Sequence, residues 1–310
     1  MDESKFLVTG ANGQLGNALR AKYPNAKFAD VAELDITDQE AVDNYDWANI
    51  THIINAAAYT NVDGAETNQE LCMLINSVGV ANLSKVAKEN DLTLVHISSD
   101  YVFDGTNDNH TEKEKFRPIS VYGLSKAEGD IQASKAPKHF ILRTSWVIGD
   151  GHNFVRIMMG LADKNISPTV VHDQVGRLTF TSELVKAIDH LLSTEPSFGT
   201  YNISNSGKPA SWADITREIF KDLGRDDLTV TDTTTEEYYA GKENIAPRPL
   251  QSTLNLDKIK DTGFKPRDWQ ENLKEYKKER IRERHNISRR IRHTTISNNQ
   301  GRQQTTCPNL

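Results

Sequence analysis

The stretch Phe6-Leu7-Val8-Thr9-Gly10-Ala11-Asn12-Gly13-Gln14-Leu15-Gly16 decides how this chain folds. A short apolar run, typical of a buried strand, leads into glycines spaced G-x-x-G-x-x-G, and apolar residues at helical spacing follow. Glycine lets the chain turn sharply and lets backbone N–H groups at a helix N-terminus approach a phosphate. The stretch therefore predicts a strand–turn–helix unit that binds a dinucleotide. Its spacing is a variant of G-x-G-x-x-G, and an ordinary glycine-rich turn is the alternative.

Strand and helix patterns then alternate along the chain. We predict strands at Lys5–Thr9, Lys27–Asp30, His52–Asn55, Leu92–Ser98 and His139–Ser145. We predict helices at Gln14–Tyr23, Asp38–Asp46, Asn68–Glu89 and Val121–Ala133. This βαβ alternation predicts an α/β fold with a doubly wound parallel sheet.

The pattern loosens after about residue 150. Predicted helices and short strand-like pieces now mix: Asn153–Asn165, Pro168–Val171, Thr181–Ser193, Thr200–Ile203 and Ser211–Leu223. We interpret residues 1–150 as a dinucleotide-binding domain. Residues 151–279 are interpreted as a smaller α/β domain, mainly for the substrate, that partly returns to the first sheet. Residues 280–310 form a basic polar tail whose composition favours disorder or a non-native extension, with binding of an anionic surface or nucleic acid as the alternative.

Charge and cysteine usage limit the possible partners. The formal net charge is −6, and arginines concentrate in residues 280–310, so the rest of the chain is strongly acidic. An acidic body argues against nucleic acid as a partner. Cys72 and Cys307 form no disulfide pattern, and no run reaches the ~18 apolar residues of a membrane span. Since the first residues also lack a signal-peptide pattern, we expect a cytoplasmic protein with no membrane partner.

Acidic and small residues follow the second and third predicted strands. Asp30 lies about 20 residues after Gly10, where a carboxylate can bind the adenosine ribose hydroxyls and favour NADH over NADPH. A solvated aspartate at a strand end is the alternative. Asp35 and Ile36 can flank the adenine, and the small residues Ala56-Ala57-Ala58 leave room for a flat cofactor.

A hydroxyl, a phenol and an ammonium form the third candidate group. Ser99 ends the fourth predicted strand, and Tyr122 and Lys126 are four apart, so they share one face of the next helix. A nearby ammonium is expected to lower the pKa of a phenol toward the range useful for proton transfer. Carbonyl reduction needs such a proton donor opposite a hydride donor. Tyr-x-x-x-Lys alone is common, but after a serine-ended strand and a nucleotide turn it indicates a reductase.

These motifs resemble the extended short-chain dehydrogenase/reductase family and, within it, the dTDP-4-dehydrorhamnose reductases. The resemblance covers about residues 5–279, and the later motifs are specific to these reductases. It rests on Val8–Gly16, Asn55–Asp63, Ser98–Gly105, Tyr122–Lys126, Arg143–Val147, Asp173–Arg177 and Arg248–Ser252.

The resemblance implies a Rossmann-like, NAD(P)H-dependent reductase in polysaccharide biosynthesis, which converts dTDP-4-dehydro-L-rhamnose to dTDP-L-rhamnose. It implies that Ser99, Tyr122 and Lys126 are catalytic, with Tyr122 as proton donor, although Ser99 stands where the family usually has threonine. With the residues above, the candidates for cofactor binding are Gly10, Asn12, Gly13, Gln14, Leu15, Gly16, Asp30, Asp35, Ile36, Ala56, Ala57, Ala58, Tyr122 and Lys126. The candidates for binding the dTDP-sugar are Val62, Asp63, Asp100, Tyr101, Trp146 and Arg248.

Several alternatives stay open at this point. The cofactor is NADPH or NADH, and the protein is a monomer or a homodimer. Part of the family forms a Mg²⁺-linked homodimer, but no carboxylate cluster in this sequence supports a metal site. The rival functions are a nucleotide-sugar epimerase or dehydratase and a non-catalytic, cofactor-binding regulatory subunit. Ser99-Asp100 does not match the Asp-Glu pair of a dehydratase, and the intact trio argues against a subunit without turnover.

Overall fold

The computed structural model describes residues 1–282, and Met1–Trp269 forms one compact unit. Its strands are β1 Phe6–Thr9, β2 Lys27–Ala29, β3 His52–Asn55, β4 Thr93–Ser99, β5 His139–Thr144, β6 Val147–Ile148, β7 Thr169–Val171, β8 Val175–Gly176, β9 Thr179–Phe180, β10 Gly199–Asn202, β11 Ala210–Ser211 and β12 Thr231–Thr233. Its helices are α1 Gln14–Lys22, α2 Gln39–Asp43, α3 Val62–Thr67, α4 Gln69–Met73, α5 Gly79–Glu89, α6 Val121–Ala133, α7 Phe154–Asp163, α8 Thr181–Thr194, α9 Trp212–Asp222, α10 Thr235–Tyr239 and α11 Asp257–Asp261. The second unit begins at Gln270, and its described part, residues 270–282, is helical.

A six-stranded sheet in the order β10-β5-β4-β3-β1-β2 forms the centre of the first unit. All five strand pairs in it are parallel. The chain runs outward from β1 to β2 and then crosses to β3 on the other side of β1. In doubly wound sheets this switch point opens a crevice at the carboxyl ends of the strands, where ligands bind.

Two apolar clusters cover the two faces of the sheet. Alternate residues of β1 point to opposite faces, so Phe6 and Val8 join one cluster and Leu7 joins the other. The first cluster includes the buried face of α8, and the second includes that of α5. Burial of each such side chain stabilises the fold by about 1.5–3 kcal/mol. The sheet ends are thereby held in place by packing on both faces.

The expected α/β fold is confirmed, and His52–Asn55 and Val121–Ala133 have the predicted bounds. The long helix expected over Asn68–Glu89 is instead α4, a π-helical turn at Leu74–Val78 and α5. The strand expected near Thr200–Ile203 is β10, which joins the central sheet beside β5. The division expected at about residue 150 stays a prediction, and the tail predicted over 280–310 lies, from residue 283 onward, outside the described residues.

Candidate active site

A cleft of about 1150 Å³ opens at the carboxyl ends of β1, β3 and β4. Most of the candidate residues line it together: Gly10, Asn12, Gly13, Gln14, Leu15, Asp30, Asp35, Ile36, Ala56, Ala57, Ala58, Val62, Ser99, Asp100, Tyr101, Tyr122, Lys126 and Trp146. Gly16, Asp63 and Arg248 are not among the lining residues. The predicted cofactor residues and the predicted catalytic trio therefore share one cavity.

The glycine turn is shaped by close backbone contacts. Gly10 has φ +70°, and a Cβ there would lie 2.5 Å from the backbone nitrogen of Ala57. A Cβ on Gly16 would lie 2.3 Å from the carbonyl oxygen of Gly10, so Gly16 supports the turn from behind instead of lining the cleft. Gln14, the first residue of α1, accepts a hydrogen bond from the backbone of Gly149 at 2.9 Å. Neither Gly10 nor Gly16 therefore leaves room for a side chain, which explains why the turn needs glycine at both positions.

Asp30 faces the same turn from the end of β2. Its carboxylate accepts hydrogen bonds from the backbone N–H groups of Asn12, at 3.3 Å, and Val31, at 2.9 Å. This end of the cleft is lined by residues without positive charge, namely Asp30, Val31, Leu34, Asp35, Ile36 and Thr37. The surroundings therefore suit a ribose hydroxyl better than a phosphate.

The catalytic candidates come from β4 and α6. Ser99 is the last residue of β4, and its hydroxyl donates to the Asp100 carboxylate at 3.0 Å. Helix α6 begins after Ser120, whose side chain caps the Gly123 N–H at 3.1 Å, and this start places Tyr122 in the first turn. The buried Lys126 donates from Nζ to the carbonyl of Ile97 at 2.7 Å. One helix turn thus brings the phenol and the ammonium beside the end of β4.

Burial is the main cause of the pKa shifts of Tyr122, Lys126 and the neighbouring Asp100. Burial raises the pKa of Tyr122, while its side-chain hydrogen bond with Ser99 acts in the opposite direction. The net shift is upward, opposite in direction to the lowering that the sequence led us to expect from a nearby ammonium. Burial also lowers the pKa of Lys126 to about 8 and raises that of Asp100 to about 6. At neutral pH the phenol is therefore protonated, which is the state that a proton donor requires.

The sugar-side candidates fall into two groups. Tyr101 and Trp146 line the cleft, and the Tyr101 ring lies edge-on to Tyr122 with centroids 5.2 Å apart. Asp63 and Arg248 form an ion pair with each other, at 2.7 Å, and Asp63 also accepts from the Ala246 N–H at 3.0 Å. This pair joins the start of α3 to the segment that follows α10.

Other polar residues of the cleft were not expected from the sequence. Thr144 and Ser145 line it at the end of β5, and their buried hydroxyls have no hydrogen-bond partner among residues 1–282. Their position was predictable because they end the strand next to the one that carries Ser99. Outside the cleft lining, Asn76 on the π-helical turn accepts from the Tyr59 N–H at 2.8 Å and donates to Ser125 Oγ at 2.9 Å. No motif in the sequence pointed to that network.

Comparison with known proteins identifies the family. The pattern of the RmlD substrate binding domain matches residues 4–281. The chain belongs to this family. It is 36% identical to the spore coat polysaccharide biosynthesis protein SpsK of Bacillus subtilis, over 89% of this chain and 98% of that protein. It is also 36% identical to the dTDP-4-dehydrorhamnose reductase of Aggregatibacter actinomycetemcomitans, over 87% and 97% respectively.

A solved structure of this family contains a nicotinamide cofactor. The dTDP-4-dehydrorhamnose reductase of Bacillus anthracis, in complex with NADP, superimposes with a TM-score of 0.81 at 34% identity, covering 88% of this chain and 98% of that one. Within residues 1–282 no helix is long and apolar enough to cross a membrane. The same part of the chain holds no group of three or more His, Cys, Asp or Glu side chains placed to bind a metal ion.

Proposed function

We propose that this protein is an NAD(P)H-dependent reductase that converts dTDP-4-dehydro-L-rhamnose to dTDP-L-rhamnose. The observation that carries the proposal is the presence of Ser99, Tyr122 and Lys126 in the same cleft as the glycine turn. Relatives named dTDP-4-dehydrorhamnose reductases, at 34–36% identity, support the substrate class. The similarity to the spore coat polysaccharide biosynthesis protein SpsK supports a role in supplying a deoxysugar for polysaccharides.

The cleft suits a nicotinamide dinucleotide. The crowded glycine turn would cradle the diphosphate at the start of α1, and Asp30 would bind the adenosine ribose. Ala56, Ala57 and Ala58 leave a flat floor along the end of β3. When bound, the reduced nicotinamide supplies the hydride for the sugar carbonyl. Because the described residues that line the ribose end include carboxylates and no cation, we propose that NADH is used at least as well as NADPH.

Ser99, Tyr122 and Lys126 would each have a separate role in the reduction of the carbonyl. Ser99 would turn its hydroxyl proton from the Asp100 carboxylate to the C4 carbonyl oxygen and hold that oxygen beside the phenol. Tyr122 would transfer its proton to that oxygen as the carbonyl carbon accepts the hydride, so the product leaves as an alcohol. The buried ammonium of Lys126 would bind the nicotinamide ribose and offset the negative charge that develops on Tyr122.

The sugar nucleotide would extend from the trio toward Trp146 and the Asp63–Arg248 pair. A guanidinium suits paired phosphate oxygens, and Arg248 is held by Asp63 and by the Tyr239 ring, 4.7 Å away. We propose that Val62, Asp100 and Tyr101 complete this pocket.

Residues 151–279 are proposed to serve mainly the sugar-nucleotide side. We propose a cytoplasmic monomer or homodimer. The acidic composition of residues 1–279 argues against a nucleic-acid partner.

An assay with two cofactors and one auxiliary enzyme tests the proposal. Absorbance of NADPH or NADH is followed with dTDP-4-keto-6-deoxyglucose, in the presence and in the absence of a 3,5-epimerase. Oxidation that depends on the epimerase is expected, because the enzyme should reduce the L-sugar. Oxidation without the epimerase would indicate a reductase of the D-sugar. Cofactor binding without any oxidation would favour the regulatory-subunit alternative.

A further inference from the structure

Trp146 is held in an unusual conformation. Its backbone φ is +48°, in the left-handed region that non-glycine residues seldom adopt, and it lines the cleft. Such strain persists only where the surroundings impose it, and it concentrates at functional sites. The backbone is fixed on one side by the hydrogen bond from the Thr179 N–H to the Trp146 carbonyl, at 3.0 Å.

A second tryptophan stacks on this indole. The rings of Trp146 and Trp212 lie 3.7 Å apart between centroids, with 18° between their planes. Trp212 is not among the residues that line the cleft. Gly176 closes the same space, since a Cβ there would lie 3.1 Å from Cε2 and Cζ2 of the Trp146 ring. The Trp146 indole therefore has little freedom to change its plane.

Trp212 is itself fixed by several contacts. It is the first residue of α9, which is started by a reciprocal capping box between Ser211 and Asp214. Its indole N–H donates to Gln174 Oε1 at 3.2 Å, and Phe154 packs on it with ring centroids 4.4 Å apart. The strand that precedes it, β11, pairs with β8. Because β8 contains Gly176, this strand pair connects the backbone at Gly176 to the start of α9.

We propose that Trp212 is a positioning residue for sugar recognition, which fixes the indole plane of Trp146 as a flat wall for the hexose ring of the substrate. This inference rests on the proposed function. It predicts that loss of Trp212 weakens sugar-nucleotide binding and leaves cofactor binding intact, because Trp212 acts only through Trp146. If Trp212 had a purely structural role, its loss would instead weaken the binding of both the sugar nucleotide and the cofactor, or of neither.

Two substitutions and one control test the inference. Trp212→Leu keeps apolar volume and removes the stack, whereas Trp212→Phe keeps an aromatic partner. Trp47→Phe is the matched control, because Trp47 is a buried indole of the apolar cluster on the α5 face of the sheet and donates to the Val42 carbonyl. Each variant is assayed for KM and kcat with the sugar nucleotide and for cofactor Kd. Circular dichroism of the indole bands follows the coupling of the stacked pair.

We expect Trp212→Leu to raise KM by about five- to tenfold, the loss of roughly one aromatic pair, with cofactor Kd and kcat within about twofold. The coupling signal should disappear in Trp212→Leu, KM should largely recover in Trp212→Phe, and Trp47→Phe should retain both values. An unchanged KM with the coupling lost would overturn the inference, as would a parallel rise in cofactor Kd. Absence of turnover in the unsubstituted protein would instead overturn the proposed function, and this inference with it.

Discussion

The two halves that we propose for the cleft, one for the cofactor and one for the sugar nucleotide, are built by different means. The cofactor half is made of backbone at the ends of β1, β3 and β4, pressed into place by apolar packing on both faces of the sheet. The sugar half depends on side chains that hold one another, namely Asp63 with Arg248 and Trp146 with Trp212. Substitutions in the first half should therefore disturb the fit of the backbone around the cofactor. Substitutions in the second half should change the affinity for the sugar nucleotide alone.

The largest effect is expected at Gly10. A methyl group there meets the Ala57 backbone nitrogen at 2.5 Å on a left-handed backbone, so Gly10→Ala should cost more than ~3 kcal/mol and abolish cofactor binding. Gly224 has nearly the same φ, +68°, in open space, and Gly224→Ala should cost only about 1 kcal/mol. Thermal unfolding and cofactor titration of both variants provide the measurement. Equal behaviour of the two would contradict the steric account.

A smaller and more selective effect is expected at the ion pair of the sugar half. Asp63→Asn should raise KM for the sugar nucleotide about fivefold, the loss of ~1 kcal/mol from a partly exposed charged hydrogen bond that orients Arg248. Cofactor Kd should not change. The control is Asp232→Asn, which breaks the exposed pair with Arg217. A parallel loss of cofactor affinity in Asp63→Asn would show that the two halves are not independent.

Cofactor choice should respond to one carboxylate. Asp30→Asn keeps an oxygen acceptor for the Asn12 N–H and removes the charge that opposes a 2′-phosphate. The ratio of kcat/KM for NADPH to that for NADH should rise about tenfold relative to the unsubstituted protein. Glu40→Gln, which removes an exposed carboxylate of α2, is the control. An unchanged ratio would remove Asp30 from the account of cofactor choice.

The pH dependence of turnover should report the protonation state of Lys126. Its folded pKa, lowered by burial to about 8, lies below the usual lysine value, so the ammonium is present below about pH 8 and is lost above it. Turnover should therefore decline as pH rises through about 8, with up to a tenfold loss per unit beyond it. Initial rates at saturating cofactor measure this limb. A flat profile up to pH 10 would contradict a role for the charged lysine.

The sequence indicated which residues meet around the glycine turn better than which side chains hold Trp146, for a physical reason. The glycine turn, Asp30 and the Tyr122–Lys126 spacing are local patterns, and parallel strands bring their ends together. The stack of Trp212 on Trp146 joins residues far apart in the chain, and no local pattern reports it. The upward direction of the Tyr122 pKa shift also escaped prediction, because it is set by burial and burial follows from the whole fold.

Tyr122→Phe tests the central claim most directly, since it removes the proton donor and keeps the ring. We expect turnover of dTDP-4-dehydro-L-rhamnose to fall by about 10²–10⁴-fold, the usual range for a lost general acid, while cofactor Kd stays within about twofold. Retention of turnover within tenfold of the unsubstituted protein would contradict the assignment of Tyr122 as the acid of a carbonyl reductase.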